Sequence, residues 1–186
     1  YPKALGVWEA QGDEKETGNT YHQLGRIAEE LRDFAVAEQW YRKGLAVFEK
    51  QGNEHRTAAA CHQLGVIAHK QHDLVSAEHG YRKAVTIWEN LGDEHNAAIT
   101  FYQLGQLAQE RRYLATARQW YQKSLTINEK ESNEDVVADI YYKLGMIAQD
   151  QHDFAASEHW YRTALMIWEN RGDQHSAASV CVNLGL

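Results

Sequence analysis

The chain is poor in the residues that interrupt or cross-link a fold. Its 186 residues include one proline, Pro2. Proline fixes φ and removes an N–H, so its near-absence leaves helices unbroken and excludes a proline-rich linker. Two cysteines, Cys61 and Cys181, are too few for a disulfide framework and read as reduced thiols of a cytosol-like compartment. No apolar run approaches the roughly 18 residues of a membrane span. The opening YPKALGVWEAQGDE lacks the basic start and apolar block of a signal peptide, so a cytoplasmic location with no membrane contact is expected. Basic residues are also in deficit, 19 Lys and Arg against 26 Asp and Glu, a net charge of −7. A sequence-independent nucleic-acid binder needs a cationic face, so nucleic acid is not an expected partner. There is no Gly-rich phosphate loop, no Gly-x-Ser-x-Gly turn and no HExxH. Catalytic residues, a cofactor and enzyme activity are therefore not expected.

What is present is a period of 40 residues. Leu-Gly recurs at Leu24-Gly25, Leu64-Gly65, Leu104-Gly105, Leu144-Gly145 and Leu184-Gly185, and Tyr41, Tyr81, Tyr121 and Tyr161 keep the same spacing, with Tyr1 one period earlier. The chain divides into a half-unit at 1–20, full units at 21–60, 61–100, 101–140 and 141–180, and the start of another at 181–186. Each unit holds two amphipathic helical stretches. In the second unit, Ala58, Cys61, Leu64, Gly65, Ile67 and Ala68 recur at helical spacing over 54–70, and Leu74, Ala77, Tyr81, Ala84, Val85, Ile87 and Trp88 over 74–90.

The punctuation agrees with this division. Gly12, Gly52, Gly92 and Gly172 are placed to close helices in the left-handed conformation. Asp13, Asn53, Asp93 and Asp173 follow them as N-caps, and Asp33, Asp73 and Asp153 cap the second helices. Two places break the habit: Glu131-Ser132-Asn133 lacks the glycine, which predicts a strained or looser turn, and Arg112-Tyr113 lacks the cap. A helix-interior glycine costs about 1 kcal/mol relative to alanine. Its repetition at Gly25, Gly65, Gly105 and Gly145, opposite Ala37, Ala77, Ala117 and Ser157, predicts close approach of two helix backbones, with the four tyrosines filling the seam between hairpins. Trp8, Trp88 and Trp168, with Phe48 and Asn128 at the same position, and Trp40, Trp120 and Trp160 before the seam tyrosines, are expected to pack helices; in the second unit Gly80 stands where the others have this tryptophan, leaving either a notch or nothing.

Aromatic-x-x-Leu-Gly, alanine twelve residues after the glycine, tyrosine four later and a small residue three after that resembles the tetratricopeptide repeat. The first unit reads Tyr21, Leu24, Gly25, Ala37, Tyr41 and Gly44; the fourth reads Tyr141, Leu144, Gly145, Ser157, Tyr161 and Ala164. The units exceed the family's usual length, Glu49, Glu89, Glu129 and Glu169 stand where the family has proline, and Cys61 and Cys181 take the aromatic position. The long units with a Gly-Asp-Glu junction are similar to the arrays of bacterial signalling ATPases and to spindle-orientation and kinesin-light-chain scaffolds. The resemblance implies an all-α, right-handed α-α superhelix of helical hairpins, and a module that binds a protein or peptide in a groove lined by first helices.

By the same resemblance, groove positions fall at His22, Gln23, Arg26, Glu29 and Glu30; His62, Gln63, Val66, His69 and Lys70; Tyr102, Gln103, Gln106, Gln109 and Glu110; Tyr142, Lys143, Met146, Gln149 and Asp150; then Val182 and Asn183. The residue before each Leu-Gly is Gln23, Gln63, Gln103, Lys143 or Asn183. An amide carries donors and an acceptor, so such a ladder suits the backbone of an extended peptide; glutamine is also simply a good helix former on a wet surface. Arg26, Lys70 and Lys143 are too dispersed among acids for a C-terminal carboxylate clamp. His55, His62 and His69 are seven residues apart on one helix, about 10.5 Å, too far to share a metal ion with bonds near 2 Å. Two further readings remain: a sensor array on a larger signalling ATPase, and a spacer or end-to-end assembly element. Ala4, Leu5, Val7 and Trp8 at one end, and Ala177, Val180, Cys181, Leu184 and Leu186 at the other, predict exposed complementary faces and head-to-tail self-association.

Overall fold

The structure, a computed structural model, describes residues 14–184. Nine helices run through them: α1 Glu14–Glu30, α2 Phe34–Lys50, α3 Glu54–Lys70, α4 Leu74–Leu91, α5 Glu94–Glu110, α6 Leu114–Lys130, α7 Glu134–Asp150, α8 Phe154–Arg171 and α9 Gln174–Leu184. No strand occurs among the described residues. The fold is the expected all-α succession of helical hairpins. It divides into two compact units, one ending at Asp93 and one beginning at Glu94. The first holds the hairpins α1–α2 and α3–α4; the second holds α5–α6, α7–α8 and the single helix α9.

The caps form where the sequence places them. Asp33 Oδ1 accepts from Val36 N at 3.2 Å, Asp73 from Ser76 N at 3.1 Å and Asp153 from Ala156 N at 3.1 Å. Asn53 and Asp173 do the same for Arg56 N and Ser176 N, each at 3.1 Å. Tyr113 makes no side-chain cap, and neither does Asn133. Gly52, Gly92 and Gly172 take φ of 64°, 68° and 74°; Gly12 and Asp13 lie outside the described residues. The turn at 131–133 keeps the same route without its glycine. Ser132 takes φ 57°, Asn133 N donates to Asn128 O at 2.9 Å, and Asn133 Nδ2 donates to Asn128 Oδ1 at 3.1 Å. That turn is strained at one residue and is not loose. The turns inside hairpins use the same left-handed step at Arg32, His72, Arg112 and His152, with φ of 59–62°.

The repeated glycines have a reason beyond the one expected. A Cβ on Gly25 would lie 2.6 Å from Cε1 of Tyr41, and on Gly145 2.6 Å from the Tyr161 ring. It is the seam tyrosine, bedded on its own hairpin's first helix, that excludes a side chain there. The expected backbone approach shows at Gly65, where a Cβ would also lie 3.2 Å from Ala77 O, and is closer still at Gly80, where a Cβ would lie 2.8 Å from Cys61 O and Gly65 N. Within each unit a tyrosine does occupy the seam: Tyr41 packs with Ala28, Ala37 and with Ile67 of the next hairpin, and Tyr121 with Val137, Ile140 and Ile147. Phe48, Trp88 and Trp168 are buried as helix-packing groups. Asn128, at the same register, is buried too, donating through Nδ2 to Ser124 O at 2.9 Å.

At the C-terminal end the expectation of an uncovered face fails for Val180. It is fully buried against Trp168 and Tyr161, with Ala177 and Leu184 packed beside it, because α8, together with Ala138 of α7, covers that stripe of α9. The exposed apolar side chain there is Val182. Ala4, Leu5, Val7, Trp8 and Leu186 lie outside the described residues.

Candidate peptide-binding face

Each hairpin presents its first helix through three registers set by the Leu-Gly pair. Three positions before the glycine sits a ring that leans on the seam tyrosine: His22 on Tyr41, His62 on Tyr81, Tyr102 on Tyr121 and Tyr142 on Tyr161, with centroids 5.4–5.6 Å apart. Four positions after it sits an acceptor for the tyrosine hydroxyl. Tyr41 Oη donates to Glu29 at 2.9 Å, Tyr121 to Gln109 at 3.0 Å and Tyr161 to Gln149 at 2.9 Å. In α3 that position is His69, whose ring meets Tyr81 edge-on at 6.3 Å. Glu29, Gln109 and Gln149, read from the sequence as groove residues, therefore commit an oxygen to the hairpin itself.

Two positions before the glycine lies the amide ladder. Gln23 is exposed, and Gln63 and Gln103 are half-buried. Nothing among the described residues hydrogen-bonds to the amides of Gln63 or Gln103. Lys143 lies with Nζ 5.8 Å from the ring centroid of its neighbour Tyr142. Asn183 is engaged: its Nδ2 donates to Tyr142 Oη and to Ser179 O, each at 3.1 Å.

On the first unit Arg26 and Gln63 meet in a hollow of about 310 Å³ with Glu29, Glu30 and Lys70. Lys70 Nζ donates to Glu29 Oε1 at 2.7 Å and so ties α3 to α1. Burial pushes the His62 imidazole down to about 4, so this face carries a neutral ring at neutral pH. Burial lowers His22 as well, helped by Arg56 and Arg26. Val66 is half-buried beside them.

On the second unit Tyr102 Oη donates to Asp139 of α7, and Gln106 Nε2 donates to Tyr102 Oη at 3.2 Å. Burial, then the Asp139 bond, raise the Tyr102 phenol far above its ordinary range. Tyr142 and Met146 are half-buried against the Tyr161–Trp168 cluster. Asp139 was invisible to periodic reading, because the same register carries Asn19, Ala59, Ile99 and Ser179.

These faces are polar, ring-lined and regular. Among the described residues no three His, Cys, Asp or Glu side chains converge as a metal site, and no helix is long and apolar enough to cross a membrane.

Family models described as tetratricopeptide repeat match residues 56–130, and residues 18–51 and 138–170. No curated protein matches the sequence. Among solved structures, the chain is similar to BtubC (BKLC) from P. vanneervenii, at 16% identity and a TM-score of 0.78, over 90% of this chain and 78% of that one. It is similar to aspartyl phosphate phosphatase F from Bacillus subtilis, at 10% identity and 0.80, over 89% of this chain and 43% of that one. A signal transduction ATPase with numerous domains and a tetratricopeptide repeat sensor, from Pyrococcus horikoshii, matches at 15% identity and 0.83, over 96% of this chain and 28% of that one. At these identities the likeness is one of fold, and the chain spans less than half of the last two proteins. The 40-residue period, the glycine–tyrosine seams and the matched family models together make this chain a member of the tetratricopeptide repeat family, a protein-interaction scaffold.

Proposed function

We propose that the first-helix faces bind a peptide segment of a partner protein, with the ladder amides pairing to its backbone. The observation that carries this is the state of Gln63 and Gln103. Each is half-buried, yet among the described residues no group hydrogen-bonds to its amide. Such an amide offers donors and an acceptor to an extended backbone without breaking any internal bond. The rings of His62, Tyr102 and Tyr142 supply flat apolar contact on either side, and the acid–base pair Glu29–Lys70 gives the first unit's hollow a polar rim. Gln23, Arg26, His22, Val66 and His69 complete the first unit's face, and Gln106, Lys143, Met146 and Asn183 the second's.

Selection of peptides from a displayed random library on the immobilised chain tests this. Enriched sequences should lose affinity for chains carrying Gln63→Ala or Gln103→Ala. Unchanged affinity in both variants would show that peptides dock elsewhere.

A second reading, that the chain is the sensor array of a larger signalling ATPase, draws on the match to such a protein over 96% of this chain. A nucleotide-binding motif encoded in the same reading frame would support it.

A further inference from the structure

One notch in the first unit is a place where the repeat has lost a pair of rings. In the hairpin α7–α8, Trp160 stacks on Tyr141 at 5.4 Å and 14°, and the two pack against the cluster that includes Tyr121 and Leu125 of α6. The pair fills the furrow between α6 and α8, over α7. Trp120 stacks on Phe101 at 5.6 Å, and Trp40 on Tyr21 at 5.7 Å, at the same register. In α3–α4 both rings are gone at once: Cys61 stands in the first position and Gly80 in the second.

Helix approach does not close the space. Although α4 lies close enough to α3 for a Cβ on Gly80 to strike backbone, a notch of about 420 Å³ remains between α2 and α4, floored by Cys61, Leu64 and Ala68. Cys61 and Ala68 are themselves buried, so the open part of the notch is its leucine side. Leu64 and Leu45 are half-buried, whereas their counterparts Leu144 and Leu125 beneath and beside the Trp160–Tyr141 pair are buried. Val75, 72% exposed, forms one wall. Lys83 lies at the rim with its Nζ donating to Glu49 Oε1 at 2.7 Å, in the register where Lys43 and Lys123 hold their ammonium groups 4.6 and 5.1 Å from the centroids of Trp40 and Trp120.

We propose that this notch receives an aromatic side chain, a tryptophan above all, from a protein partner. The sibling hairpins specify the chemistry: a planar ring lying flat on the first helix and walled by leucine, with a lysine over it in two of the three. A ring from outside would cover Leu64 and Leu45, and a hollow bordered by leucine and valine with the Lys83 side chain at its edge favours a flat aromatic over an aliphatic occupant. Tryptophan anchors in such hollows commonly dominate an interface. This site shares no lining residue with the hollow around Gln63, so it stands independently of the peptide-binding reading.

The test is NMR titration of the whole chain with the blocked tripeptide acetyl-Gly-Trp-Gly-amide, against its leucine counterpart. Ring-current shifts should appear on the methyls of Leu45 and Leu64, with at least tenfold tighter binding of the tryptophan peptide. Cys61→Tyr, which supplies a ring from within, should abolish the shifts, whereas Cys61→Ala should keep them. Val75→Asp, at an exposed position, should weaken binding severalfold and covers the case in which Cys61→Tyr does not fold. Gln63→Ala should leave the titration unchanged. No Leu45 or Leu64 shift at millimolar peptide, equal binding of the leucine peptide, or full binding by both Cys61→Tyr and Val75→Asp would overturn the proposal. So would 3-methylindole binding as tightly as the peptide, which would assign the notch to a small molecule.

Discussion

A single hydrogen atom decides the character of four positions. Gly105 sits where any Cβ would come 2.7 Å from the ring of Tyr121, which is itself fully buried. Helix propensity alone would reward alanine by about 1 kcal/mol. The ring has nowhere to move in a packed seam, and overpacking of this kind costs about 1–3 kcal/mol. We expect Gly105→Ala to destabilise the chain by about 1–2 kcal/mol net, read as a lower urea midpoint with an unchanged slope. His62 makes a second prediction at this scale. Its folded pKa, about 4, lies below the 6.5 of a free imidazole, so between those values the unfolded chain binds the extra proton. Stability must therefore rise with pH through that window and fall as pH drops from about 6.5 to 4. At about 1.4 kcal/mol per pKa unit the loss is about 3 kcal/mol. His22, lowered in the same direction, adds to it. Urea melts at pH 7.5 and 4.5 should show this loss, and His62→Gln should flatten most of it; a pH-independent midpoint in the parent chain would refute the assignment.

The turns carry the next lesson. Ser132 holds φ 57° where Gly52, Gly92 and Gly172 do the same work at other junctions. A left-handed non-glycine residue costs about 1–2 kcal/mol, partly offset by the lower chain entropy of a non-glycine residue in the unfolded state. Ser132→Gly should stabilise by about 0.5–1 kcal/mol in thermal and urea melts. The neighbouring Asn133–Asn128 bond explains how the serine turn holds its route, since it anchors the chain just past the strained residue. Conversely, Asp153→Ala removes the acceptor for Ala156 N and should cost about 1 kcal/mol. Helices, hairpin turns and caps were legible in the sequence because they depend on near neighbours. The left-handed steps at Arg32, His72, Arg112 and His152 were not, because no glycine marks them; their geometry follows from the tight hairpin and not from residue preference.

At the scale of the molecule, two compact units each carry a first-helix face with its own ladder amide. Gln63→Ala and Gln103→Ala should each weaken binding of a selected peptide that contacts the altered amide. A lost hydrogen bond is worth about 0.5–1.5 kcal/mol, or about 2- to 12-fold in affinity. Both are half-buried amides without hydrogen-bond partners among the described residues, so the circular dichroism spectrum and melting temperature should stay within error of the parent chain; a binding loss accompanied by unfolding would void the comparison.

The sequence by itself determined the helices, their pairing into hairpins and the family, because a 40-residue period repeats the same apolar stripe, cap and glycine in each unit, and those signals act over one hairpin. It also marked the groove registers, since they keep a fixed distance from Leu-Gly. Only the tertiary structure decided what those registers are free to do. Glu29, Gln109 and Gln149 look available in sequence but accept from the seam tyrosines, and Asp139 looks incidental but takes the Tyr102 proton bond from a neighbouring hairpin. The open notch is likewise a tertiary fact. Cys61 and Gly80 are nineteen residues apart, and only packing two helices face to face shows that both rings of one pair have been lost from the same spot. Period reports what repeats; exceptions acquire meaning when distant side chains meet.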